Sequence, residues 1–342
     1  MRVLLVGGTG PVGQASLPHL LEAGHQVAVA HTGTHEPPGQ ADVEHLHGDR
    51  PSLLAAGGPV ERWRPDVLVD TFAGGATAAK AINLSALAER CGAGQIVAVS
   101  SMDVYRHCAA AGVDGNEPLE LPLDPLPLDE AAPKRSGPSP GGGMSHDNVA
   151  MEAALHGAPR ITVLRPGAIY GRHVHPHVLR EWSLVGKVAR GERTLELPAG
   201  GTQLFHRVAL ERVGRAVAAA IRAAPEGRWE CNVADPTDFT YGGLARLVAA
   251  ELGWEWETRT VGPDESDHPW NVRHPVIADT GRLRNVLGVA DPDPVIATTD
   301  QVRWLWERRE ELLRMWRATL ARRRGSEPGR VPHHEAARGA RL

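Results

Sequence analysis

The chain has 342 residues, with 37 Lys and Arg against 41 Asp and Glu, for a net charge of −4. That balance excludes the basic surface that nucleic acid or an anionic membrane demands, so neither is an expected partner. The three cysteines, Cys91, Cys108 and Cys231, stand far apart without metal-ligand spacing, which argues against a disulfide framework and against a zinc site; no metal is expected.

The chain opens Met1-Arg2-Val3-Leu4-Leu5-Val6 and breaks at glycines, the pattern of a first strand and not of a signal peptide. No stretch reaches the ~18 apolar residues of a membrane span, so a cytoplasmic protein is expected. Apolar runs at Val3–Val6, Val27–Ala30, Val67–Asp70 and Ile96–Val99 alternate with helical periodicity at Gln14–Ala23 and Ala76–Arg90. Such alternation predicts an α/β fold, a Rossmann-type doubly wound parallel sheet. A helical stretch at Asp147–Ala154 and a buried strand at Ile161–Leu164 extend it, giving a dinucleotide-binding domain over residues 1–172.

Seven prolines between Val113 and Gly143 forbid regular structure there. Because Leu119, Leu121, Leu123, Leu126 and Leu128 are interspersed among them, the stretch 113–143 reads as a lid over substrate or an insertion. Further helices are expected at Ala209–Ala224, Gly242–Leu252 and Asp300–Arg322, within a smaller C-terminal substrate-binding subdomain over 173–323 that is partly interleaved with the first. The tail 324–342 has no periodicity and is expected to be disordered.

Gly7, Gly10 and Gly13 stand three apart in Gly7-Gly8-Thr9-Gly10-Pro11-Val12-Gly13, between strand and helix. Glycines there permit a tight turn and close approach of backbone to pyrophosphate, and the helix N-terminus supplies N–H donors. The second strand ends Ala30-His31-Thr32-Gly33-Thr34-His35, without the acid that would bond the ribose 2′-hydroxyl of NAD. Neutral donors at His31, Thr32 and Gly33 favour NADP(H) over NAD(H). Asp49 and Arg50 are placed to meet adenine, or form a turn with a helix cap.

Four stretches resemble the extended short-chain dehydrogenase/reductase family, also called the NAD-dependent epimerase/dehydratase family, to about Arg323. They are the Gly7–Gly13 turn; Ser100-Ser101-Met102-Asp103-Val104-Tyr105, similar to the active-site serine segment; Leu164-Arg165-Pro166-Gly167-Ala168-Ile169-Tyr170-Gly171, similar to the nicotinamide-side loop; and Ile277–Leu283 with Leu287-Gly288. The resemblance implies cofactor contacts at Gly7, Thr9, Gly10, Pro11, Val12 and Gly13, at Phe72, Ala73, Gly74 and Ser100, and at Pro166, Gly167, Ala168 and Ile169.

The family's proton-transferring Tyr-x-x-x-Lys pair is missing. The tyrosines are Tyr105, Tyr170 and Tyr241, and four residues beyond them stand Ala109, Val174 and Ala245. Alignment puts Met144 at the tyrosine position and Asn148 at the lysine position, and neither titrates. Either the substrate supplies its own proton, or Ser101, Asp103, His107 or His146 replaces the tyrosine. Ser101 and Asp103 are the leading catalytic candidates, and His146 is expected to diverge from Asn148 around the helix.

His173, His175 and His177 suit the mouth of a pocket better than a metal. Trp182, Trp254, Trp256 and Trp270 suit a flat aromatic substrate, and Trp304, Trp306 and Trp316 suit packing on the small domain or a dimer face. The expected activity is NADPH-dependent reduction of a polyketide-like aromatic ketone by a monomer or homodimer. A nucleotide-sugar epimerase or dehydratase and a non-catalytic NADP(H) sensor are the alternatives.

Overall fold

A computed structural model describes residues 1–40, 42–72, 75–110, 124–137, 146–174, 180–262, 265 and 271–326. The described residues form eleven strands, the central ones rich in Val, Leu and Ile: β1 (Arg2–Val6), β2 (Gln26–His31), β3 (Glu44–His47), β4 (Val67–Asp70), β5 (Gln95–Val99), β6 (Arg160–Pro166), β7 (Ala168–Tyr170), β8 (Thr194–Pro198), β9 (Arg207–Ala209), β10 (Gly227–Val233) and β11 (Glu257–Val261). Seven of them make one sheet in the order β10-β6-β5-β4-β1-β2-β3, every pair parallel. The order reverses between β1 and β4, as in doubly wound folds.

The helices are α1 (Pro11–Glu22), α2 (Arg50–Leu54), α3 (Pro59–Trp63), α4 (Ala78–Cys91), α5 (Arg106–Ala110), α6 (Asn148–Ala153), α7 (Arg180–Ala189), α8 (Leu210–Ala223), α9 (Tyr241–Leu252), α10 (Gly281–Asn285), α11 (Pro294–Glu307) and α12 (Arg309–Ser326). Successive strand residues alternate between the two faces of the sheet. Val3, Leu5, Val27 and Val29 pack with Leu17 and Leu20 of α1 and Val213 and Val217 of α8. Leu4, Val6, Ala28 and Leu68 pack with Leu84 and Leu87 of α4 and Met151 of α6 on the other side.

Caps set the helix limits. Thr77 accepts from Lys80 N and Gly92 closes α4 in the left-handed region; Asp147 accepts from Ala150 N at the start of α6; Asp293 accepts from Val295 N, with Pro294 opening α11. The last helix expected, Asp300–Arg322, is instead two. It starts earlier because of the Asp293 cap, and it turns at Arg308, so that Leu312 returns to the cluster holding Leu305.

Smaller pairings, β7 with β9 and β8 with β11, build the second lobe with α7, α9, α11 and α12. At its base Arg207 is buried, with its Nε 2.7 Å from Asp238 Oδ1, an ion pair to Glu181 and its guanidinium 4.6 Å from the Tyr170 ring centroid. Trp182 is buried in this lobe's core, Trp254 and Trp256 pack edge to face, and Trp304 and Trp306 lie against the same cluster. Arg190 covers Trp316 at 4.6 Å. The tryptophans expected to face substrate therefore hold the lobe together; Trp270 lies outside the described residues.

The described part of the proline-rich stretch, residues 124–137, is built into the fold. Leu128 is fully buried, accepts from Asp279 N at 2.8 Å and donates to Ile277 O at 2.7 Å. Lys134 bridges to Tyr105, and Lys134 Nζ reaches Glu152 Oε2 at 2.8 Å. These residues form a wall beside β5, not a free cover; Leu119, Leu121 and Leu123 lie outside the described residues.

Glu152 is the centre of that wall. Its two oxygens accept from Ser100 Oγ (2.7 Å), Arg165 Nε (3.0 Å), Arg165 Nη2 (2.9 Å) and Lys134 Nζ (2.8 Å). Burial pushes the carboxyl up, but the hydrogen bonds and charge of Arg165 and Lys134 outweigh it and hold the group below the usual carboxylate range. A carboxyl depressed in the fold contributes stability that is complete above its unfolded pKa and is lost as pH falls through its folded value. Glu152→Ala leaves the buried Arg165 guanidinium with only the more distant Glu230, at 3.9 Å, as a carboxylate partner, so a loss of about 3 kcal/mol is expected at neutral pH. Denaturant unfolding across acid pH checks this: the gap between the two proteins should close below the folded pKa.

Candidate active site

Because the sheet strands are parallel, Gly7, His31, Thr71, Ser100 and Pro166–Gly167 all fall at one carboxyl edge, with the switch point between Gly7 and Thr71. Gly7 has φ +73° and donates to Ala30 O at 2.9 Å, and Gly10 donates to Gly7 O at 3.0 Å. A Cβ on Gly13 would sit 2.3 Å from the Gly8 backbone, so only glycine lets α1 approach the loop this closely. Gly10 offers α1 no side-chain cap and Pro11 opens the helix, which leaves first-turn N–H groups at Val12 and Gly13 for an anion. The loop is braced from behind, with Gln14 donating to Thr9 O and Gln40 to Gly8 O, each at 2.8 Å.

At the end of β2 the side chains are less available than the sequence suggests. His31 is buried; its Nδ1 accepts from Gly33 N at 3.1 Å and its Nε2 lies 2.8 Å from His45 Nδ1. Burial first, then the neighbouring imidazoles of His45 and His47, lower its pKa. Thr32 and Thr34 pair their exposed hydroxyls at 3.0 Å. Asp49, expected near adenine, caps α2 through Ser52 N at 2.8 Å, and Arg50 is ion-paired to the buried Asp70 with its guanidinium 5.5 Å from the Phe72 ring centroid. Phe72 itself is buried with φ +46°, while Ala73 and Gly74 lie outside the described residues.

After β5, Ser100 is committed to Glu152, whereas among the described residues Ser101 Oγ accepts from Asp103 N at 3.1 Å and finds no acceptor for its own proton. Asp103 gathers a cluster that the sequence does not predict. Asn148 Nδ2 donates to Asp103 Oδ1 at 2.8 Å, His146 Nε2 lies 3.4 Å from Asp103 Oδ2 and Arg135 Nη2 3.9 Å from Asp103 Oδ1. Contrary to the expected divergence, His146 Nε2 and Asn148 Nδ2 are 3.2 Å apart. The reason is local: α6 begins only at Asn148, so His146 precedes the helix and its angular spacing does not apply. The fourth candidate, His107, is buried and bonded to Pro275 O at 2.9 Å, a structural role.

None of the tyrosines replaces the missing phenol. Tyr105 is buried, donates to Asn232 Oδ1 at 2.6 Å, and has its pKa pushed up to about 12 by burial. Tyr170 donates to Asp235 Oδ2 at 2.7 Å and is raised further by burial and that carboxylate. Tyr241 is buried at the start of α9.

Pro166 ends β6, and Gly167 donates to Val233 O at 3.0 Å, where a Cβ would meet His206 O at 2.3 Å. Ala168 and Ile169 are strand residues of β7. A cavity of about 770 Å³ opens beside this loop, lined by Gln14, Leu17, Leu21, Pro38, His173 and Gln301 among others, on the α1 side and not over Ser101. His173 faces Trp304 at 6.5 Å; His175 and His177 lie outside the described residues.

Comparison with solved structures places this architecture. MoeE5 in complex with UDP-glucose and NAD superposes with a TM-score of 0.66 at 19% identity, over 91% of this chain and 99% of that one. UDP-glucose 4-epimerase from Thermotoga maritima, with UDP-glucose, gives 0.65 at 17% over 90% and 99%. The Thermus thermophilus UDP-glucose 4-epimerase complex with NAD gives 0.62 at 21% over 89% and 99%. The chain shares the fold of these proteins. No family model matches the sequence, and no curated protein matches it.

Gly13→Ala tests the close approach. Overpacking of this kind costs about 1–3 kcal/mol, so a lower thermal midpoint and roughly tenfold or more weaker dinucleotide binding are expected. Gly39→Ala, where an added Cβ meets nothing within 4 Å, should change neither. Scanning calorimetry and cofactor fluorescence titration check both.

Proposed function

We propose that this chain is an atypical extended short-chain dehydrogenase/reductase that moves hydride between a bound nicotinamide dinucleotide and a carbonyl or secondary alcohol. The observation that carries the reading is the Asp103–His146–Asn148 cluster beside Ser101, at the carboxyl edge next to the glycine turn. The cofactor would lie across the switch point, its pyrophosphate on the first turn of α1, and would supply the hydride. Ser101 would hydrogen-bond the substrate oxygen. His146 would carry the proton, with Asp103 orienting the ring and balancing its charge when doubly protonated. Asn148, standing where the resemblance puts lysine, serves Asp103 and not the ribose.

In its finer form the reading is an NADPH-dependent ketoreductase for a polyketide-like aromatic ketone such as an angucyclinone. It is supported by the lack of an acid among residues 30–35 and by an acid-base set that an acidic substrate hydroxyl could supplement. A nucleotide-sugar epimerase or dehydratase using retained NAD is the second reading. The likeness in fold to proteins holding UDP-glucose and NAD favours it, as does the commitment of the described tryptophans to packing.

His146→Ala is expected to lower kcat by about 10²–10⁴-fold, the usual contribution of one general acid, with cofactor affinity unchanged. Unaltered turnover would move the proton source to the substrate. Stoichiometric NADPH oxidation with an aromatic ketone supports the ketoreductase. Interconversion of UDP-sugars without net cofactor consumption supports the epimerase, and cofactor binding with neither reaction points to a sensor.

A further inference from the structure

Behind the turn that ends β2, three imidazoles and a carboxylate converge. The register pairs His31 with His47 and Val29 with His45, so His31, His45 and His47 share one face of two adjacent parallel strands. Their ring centroids are 4.7–5.9 Å apart. Glu36 Oε1 lies 2.7 Å from His47 Nε2 and 3.8 Å from His31 Nε2, and His31 Nε2 lies 2.8 Å from His45 Nδ1. One donor atom from each of the four falls within 4.8 Å of all the others.

We infer that His31, Glu36, His45 and His47 form a site for a borderline divalent transition-metal ion such as Zn²⁺. Tetrahedral zinc, with bonds of roughly 2.0–2.2 Å, sets its ligand atoms about 3.3–3.6 Å apart, and the observed separations bracket that range. Three imidazoles and one carboxylate suit Zn²⁺ or Co²⁺ better than the all-oxygen sets of Mg²⁺ or Ca²⁺. An outer shell is in place too: His45 Nε2 is 2.9 Å from Gln40 O, the hydrogen bond that fixes Nδ1 as its donor atom toward the ion. His31 is buried, while Glu36 and His47 are half exposed, which gives a rigid floor and an open entry.

Binding requires two protons to move, one on His31 and one on His47, whose Nε2 donates to Glu36 Oε1 at 2.7 Å and passes its proton to Nδ1 when that nitrogen takes the metal. Gly33 N–H points at His31 Nδ1, so Nε2 carries the ring proton and donates it to His45 Nδ1. A metal on His31 Nε2 places that proton on Nδ1 instead, and the Gly33 N–H must turn away, with no net proton released. Gly33, at φ +81° in an exposed turn, has the backbone freedom for it.

The test uses untagged, metal-free full chain titrated with Co²⁺, whose tetrahedral complexes absorb strongly in the visible, and then with Zn²⁺ in competition. One equivalent with a tetrahedral spectrum is expected, together with a higher thermal midpoint in excess Zn²⁺. His47→Ala and Glu36→Gln, both at half-exposed positions, should leave the metal-free midpoint unchanged. They should weaken Co²⁺ binding by at least about 100-fold, the upper end of what outer-shell changes alone cost. No tetrahedral band, or a band of equal affinity in both variants, overturns the proposal.

Discussion

One buried carboxylate holds the carboxyl edge of the sheet together. Glu152 takes a hydrogen bond from β5 through Ser100, two from β6 through Arg165 and one from the proline-rich wall through Lys134, while itself belonging to α6. Three of those four segments bring something to the cluster around Asp103: Ser101 follows β5, Arg135 follows Lys134, and Asn148 opens α6. A carboxylate taken out of water needs every lone pair answered, so the network is satisfied only when the four segments sit in one arrangement. The geometry of the outer cluster is thus inherited from a charge that never meets solvent.

The layered architecture was legible because burial on both faces of a parallel sheet leaves continuous apolar runs, and β1, β2, β4, β5 and β6 all announce themselves that way. The glycine turn was legible for a related reason: Gly13 and Gly167 mark places where backbone meets backbone, and only one residue type fits there. What lay hidden was side-chain commitment. Nothing in Asp49-Arg50 says that the first is spent on a helix cap and the second on Asp70, nor does a scatter of tryptophans say that they pack one lobe. His146 escapes a reading by periodicity because that reading puts it on the helix with Asn148, whereas Asp147 is the cap and the helix starts only at Asn148. The histidines of β3 did carry a signal, the i, i+2 spacing of His45 and His47, but their meeting with His31 depends on strand register, which one strand alone does not reveal.

The missing phenol also has a physical meaning beyond a lost proton donor. In this chain the hydroxyls of Tyr105 and Tyr170 serve as struts, fastening β6 and β7 to Asn232 and Asp235 at the sheet's outer edge. In the proposed reading proton handling would fall to His146 beside Asp103, whose carboxylate accepts from Asn148 Nδ2 and lies 3.9 Å from Arg135 Nη2.

Gly214 of α8 offers a last consequence. A Cβ there would lie 2.2 Å from Ala15 O, so α8 rests directly on the backbone of α1, about one turn from the glycine loop at its N-terminus. Because α8 issues from β9 of the second lobe, it is a stiff lever between the two halves of the molecule. A single added methyl at its fulcrum would tilt α1 by displacing Ala15. A genetic screen for lost cofactor binding would then return a residue that touches no cofactor, and from sequence alone its position in the second half of the chain would hide the cause.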